Sequence, residues 1–330
     1  MTSTSASETP AGAQAPAPAG DRFEHTGLFY RDEEQYATGC SAFLGRALAC
    51  GDPALVAVPE GNGELIRARL GAEGDLVAFA DMTRAGRNPG RILPSVLLAF
   101  ADAHAGRRVW VIGEPIRPDR GAVEYPACAR HEALINAAFA GRDAAILCPY
   151  DAPALDAEAL ADVERTHPLL EESGRARASA TYGDPIETAA SFDRPLPVPP
   201  ATAERYPFLG VGALPGVRDF AIARAQAGGL DEERVAELLI AVNELATNTA
   251  EYTTGPGTLT VWAEDGMLVY QIDDTGHIAD PLTGHVPPPA GASRGRGLLI
   301  VNELADLVRV HRGPAGTSIR LHFQLPAPTA

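Results

Sequence analysis

Cysteine is scarce in this 330-residue chain. Cys40, Cys50, Cys128 and Cys148 are scattered, and no two form a Cys-x-x-C pair. A disulfide scaffold is excluded, and the four read as buried, reduced thiols of a cytoplasmic protein. Positive charge is also short: 27 basic against 43 acidic residues leave a net charge of −16. Nucleic-acid binding through phosphates needs clustered cations, so that class is excluded too. No apolar run approaches the roughly 20 residues of a membrane span. The first residues lack a charged segment followed by an apolar one, so no export signal is expected.

What is present divides in two. Residues 1–20 are Ala, Pro, Ser and Thr with almost no large apolar side chains, and are expected to be disordered. From there to residue 182, apolar runs at 54–58, 76–80, 108–112 and 144–148 alternate with helix-like segments at 64–70, 92–104, 125–139 and 156–165. Continuous apolar strands between helices imply a doubly wound parallel sheet covered on both faces, of RecA-like type. The first of these strands runs into Pro59-Glu60-Gly61-Asn62-Gly63-Glu64, which has glycines but no Gly-Lys-Ser/Thr, and whose acids repel phosphate. Residues 183–202 carry five prolines and read as an extended connector. Residues 203–330 form the second domain.

That second domain is organised around Asn243-Glu244-Leu245-Ala246-Thr247-Asn248. Val235, Leu238, Leu239, Val242, Leu245 and Ala246 recur at spacings of three and four, which predicts a helix over 231–252 with one apolar face. Glu244 and Asn248 lie four apart on the other face. A carboxylate can orient or deprotonate a hydroxyl there, and an amide oxygen suits magnesium. Further on come Asp274-Thr275-Gly276 after a strand, Arg294-Gly295-Arg296-Gly297-Leu298 opening a helix, and Gly316-Thr317 leading into the last strand.

These four boxes, in this order, resemble the GHKL (Bergerat) ATPase fold, an α/β sandwich with a mixed sheet. The nearest type is the anti-sigma-factor serine kinase of the bacterial SpoIIAB/RsbW kind, and the resemblance covers residues 203–330. It implies ATP and magnesium as cofactors, with Asn248 on the metal and Glu244 as the catalytic carboxylate. Asp274 would read the adenine amine beside Gly276. Arg294, Gly295, Arg296, Gly297 and Leu298 would wrap the phosphates, and Thr317 would support Asp274. A sigma factor and a STAS anti-anti-sigma protein would be the partners of a homodimer, in transcriptional stress regulation. Two departures stand out: the second glycine of Asp-x-Gly-x-Gly is Ile278, and the lid segment over 281–293 is short. A catalytically weak module acting by sequestration alone is the alternative. A two-component histidine kinase is disfavoured, because no phospho-accepting helical hairpin precedes the domain.

In the first domain, His25, Gly113-Glu114, His131-Glu132, Cys148-Pro149-Tyr150-Asp151 and Thr166-His167-Pro168 resemble the MEDS domain of methanogen/methylotroph sensory proteins, over most of residues 21–182. The resemblance implies a small-molecule sensor. His25, Glu114, His131, Glu132, Cys148 and His167 are its pocket candidates. The alternatives stay open: His25 bonding a carbonyl, Glu114 capping a helix, Cys148 filling the core. No short ligand spacing marks a metal centre.

Overall fold

The computed structural model describes residues 22–289, 291–292 and 294–326. The disorder expected over residues 1–20 therefore lies outside the described residues. The N-terminal sheet starts earlier than the apolar runs suggest: β1 (Glu24–Tyr30) and α1 (Glu33–Cys50) precede the strand at Ala54. Asp32 caps α1, accepting from the Gln35 N–H at 2.8 Å. Gly51, with φ 69°, closes it in the left-handed region. Thr26 and Gly27 break the apolar run of β1, which hides it from a hydrophobicity pattern.

Then follow β2 (Ala54–Val58), α2 (Glu60–Leu70), β3 (Ala78–Asp81), α3 (Met82–Ala85), α4 (Pro89–Arg91), α5 (Ala99–Ala103) and β4 (Val109–Gly113). After them come α6 (Tyr125–Ala138), β5 (Ala144–Asp151), α7 (Ala157–Thr166), β6 (Leu169–Glu172) and β7 (Arg175–Ala178). The seven strands lie in the order β3-β2-β4-β5-β1-β6-β7. Every pair is parallel except the edge hairpin β6–β7. The sheet is apolar on both sides: Leu55 and Ala57 face one core, Ala54, Val56 and Val58 the other. Both faces are therefore covered, as parallel sheets require.

The connector is not extended throughout. α8 (Pro185–Ser191) forms within it, capped by Asp184, whose carboxylate accepts from the N–H groups of Ile186 and Glu187. Its Ala189, with Phe192 just beyond, is buried in the first domain's core. Proline at the first helical turn starts a helix as readily as it breaks one.

The second domain contains β8 (Glu204–Phe208), α9 (Leu214–Ala227), α10 (Glu232–Tyr252), β9 (Gly257–Glu264) and β10 (Met267–Asp274). It ends with α11 (Gly297–Leu304), β11 (Leu307–Gly313) and β12 (Gly316–Gln324). Asp265 and Gly266, both with positive φ, make the two-residue turn between β9 and β10. The strand order is β11-β12-β10-β9-β8. The expected mixed sheet is corrected, since every neighbouring pair is antiparallel. The chain crosses from β10 through α11 to β11, and the β11–β12 hairpin folds back to insert β12 between them. The parallel pair β10–β11 is thereby never formed.

Leu259, Val261, Tyr270, Ile272, Leu321 and Phe323 of the sheet join Leu238, Val242 and Leu245 of α10 in one core. Each buried Leu or Val contributes roughly 1.5–3 kcal/mol. Packing rather than propensity therefore fixes which face of α10 stays free.

Candidate functional site

The free face of α10 carries the half-buried Glu244 and Asn248. Against it stands the end of β10, where Asp274 pairs in register with Thr317 of β12. The Asp274 carboxylate accepts from the Thr249 hydroxyl at 2.6 Å and from the Gly276 N–H at 2.8 Å. Thr317 donates to the Gly276 carbonyl at 2.7 Å. Thr317 thus supports the Asp274 turn through Gly276 rather than by touching the carboxylate. Thr249, which the motif reading passes over, makes the direct contact. Its signal was a hydroxyl where the buried stripe of Leu238, Val242, Leu245 and Ala246 continues.

Gly316 is sterically required here, and Gly297 lets the chain approach the end of the Glu244 side chain closely. A Cβ on Gly316 would lie 1.9 Å from the Asp274 carbonyl oxygen, and one on Gly297 would lie 2.9 Å from Glu244 Oε2 and 3.3 Å from Asn248 Nδ2. The first turn of α11 therefore presses against the carboxylate–amide pair. No side chain caps that turn. Its N–H groups stay available to an anion.

Asn248, Thr249, Asp274, Gly276, Gly295, Gly297, Leu298 and Thr317 line one cavity of about 330 Å³. Glu244 is not among its lining residues; its carboxylate lies against Gly297, which is. Leu298 is mainly core, being buried. Arg294 lies outside, its guanidinium donating to the Tyr252 hydroxyl at 3.1 Å. Arg296 is exposed just ahead of α11. The chain contains no lysine, so arginines are its only permanently charged side-chain cations.

The donor set fits a magnesium nucleotide. The Asp274 carboxylate is an acceptor, the start of α11 has uncapped N–H groups, and Glu244 and Asn248 beside Gly297 offer oxygen ligands.

In the first domain the six pocket candidates separate into three places. His25, Glu132, Cys148 and His167 converge, fully buried, with one donor atom of each within 4.8 Å of all the others. Glu114 is elsewhere, accepting from Asn62 at 2.9 Å and from the Tyr36 hydroxyl at 3.2 Å. Burial pushes its carboxyl up to about 7 against the pull of those two bonds. His131 turns away from its neighbour Glu132, because adjacent helical residues point about 100° apart. Its Nδ1 has no partner among the described residues. Burial brings His131 down to about 4. At Glu132, burial would raise the carboxyl, but the nearby His167 and His25 outweigh it and hold the group well below its usual range.

The two domains meet at α11. Asn88, ahead of α4, donates to the Asn302 backbone carbonyl at 2.8 Å and accepts from the Val308 N–H at 3.3 Å. Arg91 pairs with Glu303 at 2.9 Å and Arg87 with Asp306 at 3.1 Å. Asp193, from the connector, accepts from the backbone N–H of Arg312 at 3.1 Å and faces His311 at 2.8 Å. In turn, Asn302 donates to the Gly284 carbonyl at 2.9 Å.

An antiparallel sheet with helices on one face, and a polar cavity beneath a glycine-opened helix, define a GHKL-type ATPase domain. Residues 211–323 match the family model of the histidine kinase-like ATPase domain. Residues 24–168 match that of MEDS, the methanogen/methylotroph, DcmR sensory domain. The chain therefore joins a MEDS domain to a histidine kinase-like ATPase domain. Among solved structures, it is similar to the RsbU and RsbW domains of Rv1364c from Mycobacterium tuberculosis, at 18% identity and a TM-score of 0.29. That match covers 38% of this chain and 34% of the other, so it spans about a third of that protein. No curated protein matches. Among the described residues, no helix is long and apolar enough to cross a membrane.

Proposed function

We propose that this chain is a cytoplasmic anti-sigma regulatory kinase, dimeric through its ATPase domain and controlled by its MEDS domain. The observation that carries this reading is the convergence of Asp274, Thr249, Gly276 and Asn248 around one cavity at the α11 N-terminus, where Glu244 lies against Gly297. We take residues 21–182, 183–202 and 203–330 as sensor, connector and kinase.

In this reading Asp274, held by Thr249 and Gly276, accepts a hydrogen bond from the exocyclic amine of adenine. The first-turn N–H groups of α11 donate to the phosphates. Asn248 would hold magnesium through its amide oxygen, and the ion would supply positive charge to offset the phosphates and Glu244. Glu244 orients the serine hydroxyl of a STAS partner and takes its proton as the serine oxygen bonds the γ-phosphorus and the bond from the γ-phosphorus to the β-phosphate oxygen breaks, ADP being the leaving group. A sigma factor is sequestered on the same domain until that partner releases it. The sensor acts through α11, whose start forms the phosphate cradle and whose Asn302 and Glu303 meet the first domain.

One observation favours a second reading, a nucleotide-binding module without turnover. Ile278 stands where the motif has its second glycine, and its side chain packs on the core and lines the cavity. The purified chain, incubated with γ-labelled ATP, magnesium and a panel of STAS proteins, separates the two. Label on a STAS serine supports the kinase. Saturable ATP binding with no label transferred to any of them selects the module, and no ATP binding removes both.

A further inference from the structure

While both of its histidines are neutral, the buried cluster of the first domain has a hydrogen-bond inventory that its own protons do not satisfy. Asn136 Nδ2 donates to three carbonyls, of Glu132, Ala133 and Thr166, the last at 2.8 Å. Its amide orientation is thereby fixed, and Asn136 Oδ1 meets His25 Nδ1 at 3.1 Å as an acceptor. His25 must therefore donate through Nδ1. His167 Nδ1 lies 2.9 Å from the Val163 carbonyl and must donate as well.

Both neutral imidazoles then present an Nε2 lone pair inward. Those lone pairs face Glu132 Oε2, at 3.3 Å from His25 and 3.5 Å from His167. The Tyr150 hydroxyl carries one proton, and its nearer partner is Glu132 Oε1 at 2.9 Å rather than His167 Nε2 at 3.3 Å. Cys148 Sγ completes the group, 3.5 Å from Glu132 Oε2 and 3.5 Å from His25 Nε2.

We propose that His25, Glu132, Cys148 and His167 bind one divalent transition-metal ion of the zinc class. A tetrahedral ion with bonds of about 2.0 Å to nitrogen or oxygen and 2.3 Å to sulfur spaces its ligands about 3.3–3.7 Å apart. Four of the six ligand–ligand separations fall in that range, and the other two, from His167 to His25 and to Cys148, lie within 4.8 Å. One thiolate and one carboxylate cancel the charge of a dication, so the bound set is neutral, as a dry interior demands. Both histidines already have the second acceptor that metal-bound imidazoles use, in Asn136 and the Val163 carbonyl. Four protein ligands and no exposure make a closed site. The ion would tie β1, α6, β5 and the end of α7 together. It would not be an open catalytic centre.

Cobalt(II) is the probe. The full chain, purified without chelator, stripped and reloaded with cobalt(II), is expected to keep about one ion per chain through desalting. Four-coordinate ligation with a thiolate gives intense visible bands and a near-ultraviolet thiolate-to-cobalt band. Cys148→Ser should abolish the ultraviolet band, and His131→Gln should leave it in place. Asn136→Leu, removing only the second acceptor of His25, should weaken cobalt binding about 10–100-fold. Should the cysteine variant fail to fold, Glu132→Gln decides. Its amide N–H can satisfy an imidazole lone pair, so a metal-free cluster predicts a variant at least as stable as the wild type and unaffected by chelator. The metal reading predicts loss of cobalt and of chelator-sensitive stability. Failure of the wild type to retain cobalt, or a weak six-coordinate spectrum without the thiolate band, overturns the proposal.

Discussion

In the first domain four polar side chains from β1, α6, β5 and the residue after α7 meet in full burial. In the second, Glu244 and Asn248 stay half-buried beside an open cavity of about 330 Å³. The difference follows from where each set sits. The buried set lies within a layer, between sheet and helices, where whatever fills it cannot exchange without opening the domain. The open set lies at a strand end and two helix faces, where backbone N–H groups are left over and solvent enters. The first arrangement suits a permanent occupant or a rigid polar core, and the second suits a ligand that turns over. The interface at Asn302 and Glu303 joins them.

Four tests press on that contrast. Glu244→Ala should lower phosphotransfer to a STAS serine by about 10²–10⁴-fold, with ATP affinity nearly kept. Single-turnover label transfer measures it, and a wild-type rate would exclude Glu244 from the chemistry.

Acid should reveal a second burial cost, this time in the ATPase domain. Burial, together with Arg320 and Arg309, brings His322 down to about 4, and its Nε2 has no partner among the described residues. The folded value lies below the unfolded one of about 6.5, so the unfolded chain binds the extra proton between them. Stability should therefore fall as pH drops from about 6.5 to about 4, by about 3 kcal/mol from this residue. Denaturant titrations of wild type and His322→Gln check it. Identical pH slopes would mean that His322 is not held neutral.

Asp274→Asn exchanges a charged acceptor for an amide of mixed polarity. ATP affinity should drop about 10–100-fold, the cost of losing a charge-assisted hydrogen bond. Calorimetry reads it directly, and unchanged affinity would take Asp274 out of the site.

The mildest test breaks the contrast itself by disturbing the junction. A Cβ on Gly90 would lie 2.3 Å from Asn302 Oδ1, so Gly90→Ala should destabilise the contact by about 1–3 kcal/mol. If the sensor is coupled to the cradle, ATP affinity shifts along with the thermal midpoint. A shift in the midpoint alone would show that the two regions are neighbours without communication.

Much of the ATPase domain was legible because its signals are local. The Asp231 cap, the spacing of Leu238, Val242 and Leu245, and the Asp265-Gly266 turn each depend on a few adjacent residues. In the first domain β1 was not legible, its apolar pattern broken by Thr26 and Gly27. The cap of α1 at Asp32 and its buried series from Tyr36 to Ala47 were present in the sequence as usable signals. The connector misled for another reason: proline rigidity suits both an extended chain and the first turn of α8.

The sequence by itself determined that Glu244 and Asn248 share a helix face, that Asp274 ends a strand with Gly276 in the turn after it, and that Gly297 opens a helix with Gly295 just ahead of it. Those facts follow from the 3.6-residue period and from backbone sterics. Only the tertiary structure decided that Thr249, not Thr317, holds the Asp274 carboxylate, and that β12 inserts beside β10. It alone brought Cys148 to His25 across 123 residues while leaving Glu114 and His131 outside. Distances of that kind are set by how sheet and helix layers pack, and no local period encodes the packing of residues a hundred positions apart.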